Sequence, residues 1–227
     1  MKRLLLILSL LSLTVACGSA QKQHRNIKKA GEQLRFELAQ MYVEKDAKQQ
    51  AIPLLRRILA EKPDNLPARI LYGQVLRDLG LYAQAKAQFE KVLERQPRAA
   101  EAHAGLGILH DLQRNFDDAK THHHKAVALA PNRADFYNNL GFSYFLTKQY
   151  KDAIRHYQQA LALDPGDAIG WSNRGNTLLN LDRFEDALES FEKAIAIEPV
   201  GPQLRGRQSA LAALSRVDEC NAARPVG

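Results

Sequence analysis

One stride of 34 residues runs through most of this chain and constrains its fold more than any single residue does. Glycine-containing pairs, alanines, rings and prolines all recur at that spacing. The series are Leu106, Leu140 and Arg174, each followed by glycine; Ala85, Ala119, Ala153 and Ala187; Phe89, His123, Tyr157 and Phe191; and Pro63, Pro97, Pro131, Pro165 and Pro199. A fixed period of this size indicates a solenoid whose units bury their apolar faces by stacking on one another.

The period divides the chain into five units, each predicted to contain two helices. Every unit has two stretches of helical apolar spacing separated by a short polar turn, and a proline near its end stops the second helix. A small residue at position 8 faces alanine at position 20, because two large side chains there would force the helices apart. The predicted units are 32–65, 66–99, 100–133, 134–167 and 168–201.

This pattern resembles the tetratricopeptide repeat, most fully in the fourth unit. The family's characteristic positions are filled there by Tyr137, Leu140, Gly141, Tyr144, Ala153, Tyr157, Ala160 and Pro165. The fifth unit has Arg174 where the family has an apolar residue. The first unit departs most, with Ala39 replacing glycine and Pro53 early in its second helix. The resemblance implies an all-α fold, a right-handed α-solenoid of five tetratricopeptide helix pairs.

A further helix is predicted after the fifth unit, over residues 202–219. Leu204, Leu211, Leu214 and Val217 keep helical spacing, with Arg205 on another face. We expect a cap helix that covers the exposed edge of the last repeat, since terminal units of repeat proteins need a polar outer face. Residues 220–227 are predicted to form a disordered tail.

The N-terminus resembles the signal peptide of a bacterial lipoprotein. Lys2 and Arg3 precede an apolar run, 4–15, that is too short to span a bilayer, and the run ends at Ala16-Cys17. The resemblance implies cleavage after residue 16, lipidation of Cys17 and a tether over 17–31. Gly18 rather than aspartate follows the cysteine, which implies the outer membrane. The alternative is an ordinary secretory signal with an incidental cysteine.

Charge and motifs argue against nucleic-acid binding and catalysis. The net charge of +7 is spread along the chain, with no long basic run beside stacking aromatics, so no nucleic-acid partner is expected. If Cys17 is acylated, Cys220 has no cysteine left to pair with inside the chain. Nucleophile-elbow, P-loop, dinucleotide and metalloprotease motifs are missing from the sequence, so we expect neither an enzyme nor a cofactor.

A histidine cluster invites a metal hypothesis that helix geometry disfavours. Three consecutive histidines, 122–124, point about 100° apart and cannot share one ion from a single helix. His103, His110 and His123 occupy positions where the resembled family places aromatic rings. We therefore expect packed rings rather than metal ligands, with His103 near His123, while a two-histidine site stays open as an alternative. Packed histidines also predict a loss of stability below about pH 6.

In the resembled fold, positions 2, 5, 9, 12 and 13 of each first helix line a concave groove. The predicted groove residues are Arg77; Ile108, Asp111 and Leu112; Asn138, Phe142, Phe145 and Leu146; and Ile169, Asn176 and Leu179. An exposed phenylalanine pair usually has a binding partner. The groove would then hold a helix or an extended protein segment, and the alternative is that this pair packs under a neighbouring helix. A clamp for a terminal carboxylate is not expected, because Ala104 and Ile108 stand where it needs polar groups.

The order of signal, tether and repeats resembles two kinds of pilus-related lipoprotein. One is the type IV pilotin, which helps a secretin reach the outer membrane, and the other belongs to the tight-adherence pilus. The run 138–144 is similar to the second kind. The resemblance implies a lipid-anchored adaptor in pilus or secretin assembly. The alternatives are an envelope scaffold that recruits peptidoglycan-processing enzymes and a structural subunit of another envelope machine.

Overall fold

The computed structural model describes residues 30–222, with side chains to residue 217, and contains helices and turns without a strand in that range. Helix α1 covers 30–44. The others are α2 (Lys48–Glu61), α3 (Leu66–Asp78), α4 (Tyr82–Arg95), α5 (Ala100–Leu112), α6 (Phe116–Leu129), α7 (Ala134–Leu146), α8 (Tyr150–Leu163), α9 (Ala168–Leu179), α10 (Phe184–Ile197) and α11 (Gly201–Ala222). The signal segment, Cys17 and the tail after 222 lie outside the described residues.

Consecutive helices pair as the period predicts. The helices α3, α5, α7 and α9 begin at Leu66, Ala100, Ala134 and Ala168, the first residues of the predicted second to fifth units. Helix α5 packs on α6, α7 on α8, and α9 on α10. The prediction of an all-α fold of consecutive helix pairs is confirmed.

The chain divides into two compact units, and the first ends at Gln88. Its described part contains α1, α2, α3 and the first half of α4. Ala51, Leu55 and Ile58 form the buried side of α2, and Val75 and Leu76 are buried on α3. Helix α2 continues through Pro53, its sixth residue, although the missing amide of this proline leaves one helical carbonyl without its usual donor.

The second unit begins at Phe89, and close contacts between a glycine and a ring organise it. A Cβ atom added to Gly107 would lie 2.6 Å from the His123 ring, and one added to Gly141 would lie 2.8 Å from Tyr157. The corresponding distance from Gly175 to the Phe191 ring is 2.9 Å. Any larger residue would overlap these rings, so glycine lets the second helix of each pair approach the first.

A left-handed residue ends the first helix of every pair. Asp46, Gly80, Arg114, Lys148 and Asp182 have φ between 55° and 76° and are each 34 residues apart. Two backbone bonds close each turn; in the third pair Arg114 N–H donates to Asp111 O (3.0 Å) and Asn115 N–H to His110 O (2.8 Å). This is the Schellman cap, which satisfies the last carbonyls of a helix and usually employs glycine.

The C-terminal helix is present but rotated from the expected orientation. Leu204, Leu211 and Val217 remain 42%, 41% and 41% exposed. The buried side carries Gln203, Gly206, Ala210 and Ala213 instead. Small residues occupy this side because α11 approaches the Phe191 ring so closely that a Cβ on Gly206 would overlap it. The helix also runs past its predicted end at 219 to Ala222.

Candidate protein-binding groove

Helices α7 and α9 form a pocket at the predicted apolar part of the groove. Its volume is about 230 Å³. The lining residues are Phe142, Phe145, Tyr157, Asn173, Asn176, Leu179 and Asn180. Four of the predicted groove residues, Phe142, Phe145, Asn176 and Leu179, therefore lie around one cavity.

The phenylalanine pair is only partly covered. The rings of Phe142 and Phe145 stack with centroids 6.1 Å apart and planes at 21°. Phe145 also packs on Tyr150 at 5.8 Å and is half-buried, whereas Phe142 is 41% exposed. The alternative of a pair packed under a neighbouring helix thus describes Phe145 in part and does not describe Phe142.

The other predicted groove residues differ in exposure. Leu112 and Ile169 are exposed, Asp111 is buried, and Arg77, Ile108, Asn138 and Leu146 are intermediate. Exposed apolar side chains thus occur on α5 and α9 as well as on α7.

Asparagines connect the walls of the pocket. Asn173 Nδ2 on α9 donates to Asn138 Oδ1 on α7 at 3.1 Å. Asn180 Nδ2 donates to the Asn176 carbonyl (2.8 Å), and Asn180 Oδ1 accepts from the Tyr150 hydroxyl (3.2 Å). These contacts hold amide groups at the rim of an otherwise apolar pocket.

Sequence reasoning did not assign Tyr157 to the groove. The residue belongs to the second helix of its unit, where the family pattern predicts a core ring, and it is fully buried. Its hydroxyl makes no hydrogen bond within the part of the chain that the structure describes. Burial raises the pKa of Tyr157, and nearby Thr177, whose own hydroxyl donates to Asn173 O, offsets only part of that rise. Because Tyr157 is buried yet lines the pocket, its aromatic ring forms the pocket floor.

Asp111 lies beneath the groove and does not line it. His123 Nε2 donates to Asp111 Oδ2 at 2.9 Å, and Ser143 Oγ donates to Asp111 Oδ1 at 2.8 Å. His123 and Ser143 are 0% exposed and Asp111 is 8% exposed. The prediction of Asp111 as a groove contact is corrected, because two buried donors hold its carboxylate inside. This polar network links α5, α6 and α7.

We predict that Asp111→Ala lowers the free energy of unfolding by about 2–4 kcal/mol, because His123 and Ser143 would both lose a buried acceptor. Chemical denaturation followed by circular dichroism measures the change. Asp117→Ala is the matched control; the Asp117 carboxylate is fully exposed and 3.5 Å from Lys120, so its loss should destabilise the protein much less than Asp111→Ala. Equal effects of the two substitutions would contradict the network.

The histidines pack as rings, in an arrangement that differs from the expected one. His103 and His123 are buried, as predicted. The neighbour of His103 is His122, however, with their Nδ1 atoms 3.1 Å apart, and the His110 ring also stacks on His122, with centroids 5.5 Å apart. His123 instead lies against Gly107.

The His103–His122 bond has a defined direction. His103 Nε2 donates to the Pro97 carbonyl at 3.1 Å, so the neutral His103 ring accepts at Nδ1 from His122. Within 30–217, no group of three or more His, Cys, Asp or Glu side chains is arranged to hold a metal ion.

Burial keeps several of these imidazoles neutral. Burial, with added repulsion from His103 and His110, lowers the pKa of His122 to about 4. Burial also lowers the pKa of His103, His124 and His156. A histidine whose folded pKa lies below its unfolded value of about 6.5 favours folding fully above that pH. That contribution is lost as pH falls from about 6.5 towards 4.

We predict that acidification from pH 7 to pH 5 destabilises the protein, with His122 contributing about 1 kcal/mol after allowance for solvent screening of a partly exposed ring. Denaturation midpoints measured across this range test the prediction. His122→Gln should flatten the profile, because Gln cannot take up a proton, while Thr121→Gln on the exposed side of α6 should leave it unchanged. An equally steep profile for His122→Gln would refute the assignment.

The described residues give no sign of a membrane-spanning element. Within 30–222, every helix is too short or too polar to cross a bilayer. The predicted lipid attachment site, Cys17, lies outside this range.

Comparisons with known proteins identify the repeats. Two family models, each described as tetratricopeptide repeat, match the chain: one at 134–167 and 168–199, the other at 42–109. Together these segments make up more than half of the 227 residues. The matched segment 134–167 coincides with the predicted fourth unit. No curated protein matches the chain.

Several solved structures share the fold. TTC0263, a thermophilic TPR protein of Thermus thermophilus, has a TM-score of 0.71 at 23% identity over 81% of this chain and 99% of that one. PilF of Pseudomonas aeruginosa has a TM-score of 0.66 at 16% identity over 85% and 93%. YrrB, a TPR protein described as having an unusual peptide-binding site, has 0.54 at 23% identity over 80% and 90%. Identities this low show a common fold only.

Proposed function

Because this chain belongs to the tetratricopeptide-repeat family, we propose that it is a non-enzymatic adaptor that binds a segment of a partner protein in its groove. Repeats of this family bind protein partners. In our proposal the adaptor is attached to the periplasmic face of the outer membrane by lipid on Cys17 and acts in pilus or secretin assembly.

One observation carries the binding proposal: a phenylalanine that remains 41% exposed at the edge of a 230 Å³ pocket. The stacked Phe145 ring supports Phe142 on one side, which lessens the ordering that a partner would have to impose on it. Exposed aromatic side chains beside a pocket are typical of the residues that dominate binding energy at protein interfaces.

The chemistry of the pocket limits what the partner can offer. All seven lining residues are uncharged. The apolar walls, Phe142, Phe145 and Leu179, favour a single large apolar side chain. The amides of Asn176 and Asn180 at the rim can bond peptide groups on either side of it. A neutral, apolar anchor in a polypeptide is therefore favoured over a charged terminus.

The assignment to pilus or secretin assembly is supported by the order of signal, tether and repeats, and by the run 138–144 that contributes Phe142 to the pocket. The fold shared with PilF over 93% of that chain is compatible with it. The partner recovered from the groove distinguishes this role from an envelope scaffold that recruits peptidoglycan-processing enzymes.

We predict that a photoreactive amino acid at position 142 crosslinks a discrete partner in cells, because this side chain borders the binding pocket. Mass spectrometry of the adduct identifies the partner, and a pilus or secretin component would support the proposed role. The matched control is position 163 on α8, where Leu163 is 46% exposed on the second helix of its unit.

Phe142→Glu should reduce the yield of partner in pull-downs at least tenfold without loss of helicity, whereas Leu163→Glu should leave it unchanged. Recovery of no partner from position 142, or of the same adducts from both positions, would refute binding in the groove. Recovery of a peptidoglycan-processing enzyme as the crosslinked partner would instead support the alternative role, an envelope scaffold.

Membrane attachment has a separate test. Wild-type protein should fractionate with outer membranes, and Cys17→Ala should fractionate with soluble periplasmic proteins, since the substitution removes the only proposed acylation site. Fractionation followed by immunoblotting measures both. Membrane retention of Cys17→Ala would refute the lipid anchor while leaving the groove hypothesis intact.

A further inference from the structure

Helix α11 is placed like the first helix of another pair. It follows α10 as α5 follows α4 and α9 follows α8. Its small side faces the preceding helix: Gly206 lies on the Phe191 ring of α10, as Gly105 of α5 lies on the Phe89 ring of α4. The chain thus repeats at α11 the packing by which each first helix stacks on the unit before it.

The fourth and eleventh residues of earlier first helices contact their own second helix. His103 and His110 of α5 pack on His122 of α6, with ring centroids 5.3 Å and 5.5 Å away. In α9 the fourth residue, Trp171, lies under Lys193 of α10, whose Nζ is 4.5 Å from the ring centroid. These two positions therefore mark the side of a first helix that a second helix covers.

In α11 the same two positions are Leu204 and Leu211, and both are more than 40% exposed. Two leucines seven residues apart on a helix lie on one side of it, about 10 Å from each other. No described helix covers that side. We call the surface around Leu204 and Leu211 the open face of α11.

The open face differs from earlier first helices at one position. The eighth residue is Gln208, where Gly107, Gly141 and Gly175 admit a ring from the second helix. A helix on the open face must therefore carry a small side chain where His123, Tyr157 and Phe191 lie in the chain's own second helices.

The charge of α11 specifies the partner further. Arg205, Arg207 and Arg216 are exposed, and the part of α11 around Leu204 and Leu211 contains no acidic residue; Asp218 and Glu219 follow near the end of the helix. Arg207 lies 3.8 Å from Glu192 of α10, so one ion pair between α11 and an acidic helix is already present in the structure. Charge complementarity favours an acidic segment.

We propose that the open face of α11 is a second docking surface, distinct from the groove, which binds an acidic amphipathic helix of a partner protein. That helix takes the place of a second helix and completes a sixth helix pair. Its apolar side covers Leu204 and Leu211, and a small residue opposes Gln208.

A peptide taken from α10 provides a probe, since α10 is a second helix with Glu185, Asp186, Glu189 and Glu192. Two peptides of residues 182–198 are compared by fluorescence anisotropy with the full chain: the natural sequence and the Phe191→Ala version. The Phe191→Ala peptide should bind at least fivefold more tightly than the natural one. Gln208→Gly in the protein should reverse much of that preference by making room for the ring.

Leu204→Lys with Leu211→Lys should weaken binding of the Phe191→Ala peptide at least tenfold. Ser209→Lys with Ala212→Lys adds the same charge at two other exposed positions of α11 and should weaken it less than threefold. Absence of binding by both peptides, or equal effects of the two double variants, would overturn the proposal. So would sedimentation showing that the chain self-associates through Leu204 and Leu211, since a second copy would then cover the face.

Discussion

Contact between a glycine and a ring is the constraint on which this structure depends. Gly107, Gly141 and Gly175 leave less than 3.0 Å between an added Cβ and the ring of the paired helix. Because the helices come this close, each pair presents one compact layer to the next. The first helix then has its outer side free, which is how Phe142 and Asn176 come to line a pocket instead of a core.

Helix ends reveal a second regularity that composition conceals. The five left-handed caps recur at 34 residues, but only Gly80 is a glycine, and the other four positions carry aspartate, arginine or lysine. A left-handed conformation costs an ordinary residue about 1 kcal/mol or more. The position of the turn and its two backbone hydrogen bonds therefore determine these caps. The packing of the surrounding helix pairs offsets the cost of the left-handed conformation at the four residues that are not glycine.

The sequence predicts the fold far better than the site. A period repeated five times specifies helix pairs, and it correctly assigned buried rings to His103 and His123. The repeat period predicts Asp111 in the groove, because position 12 usually faces outward. The period contains no information on the hydrogen bond from His123 that holds this carboxylate inside. It oriented α11 by its leucines, whereas the approach to Phe191 selects the side with glycine and alanine. In both cases, the position of Asp111 and the orientation of α11, contacts between different helices decided the outcome.

The carboxylate beneath the groove also affects how this protein can be re-engineered. Solenoid repeats are commonly treated as interchangeable modules, yet Asp111, His123 and Ser143 join two neighbouring units through one buried hydrogen-bond network. Replacing the third unit by a consensus copy would remove Asp111 and leave the buried Ser143 hydroxyl of the fourth unit without its acceptor. Exchanging the third and fourth units together keeps the network intact, so for recombination these two repeats behave as one block.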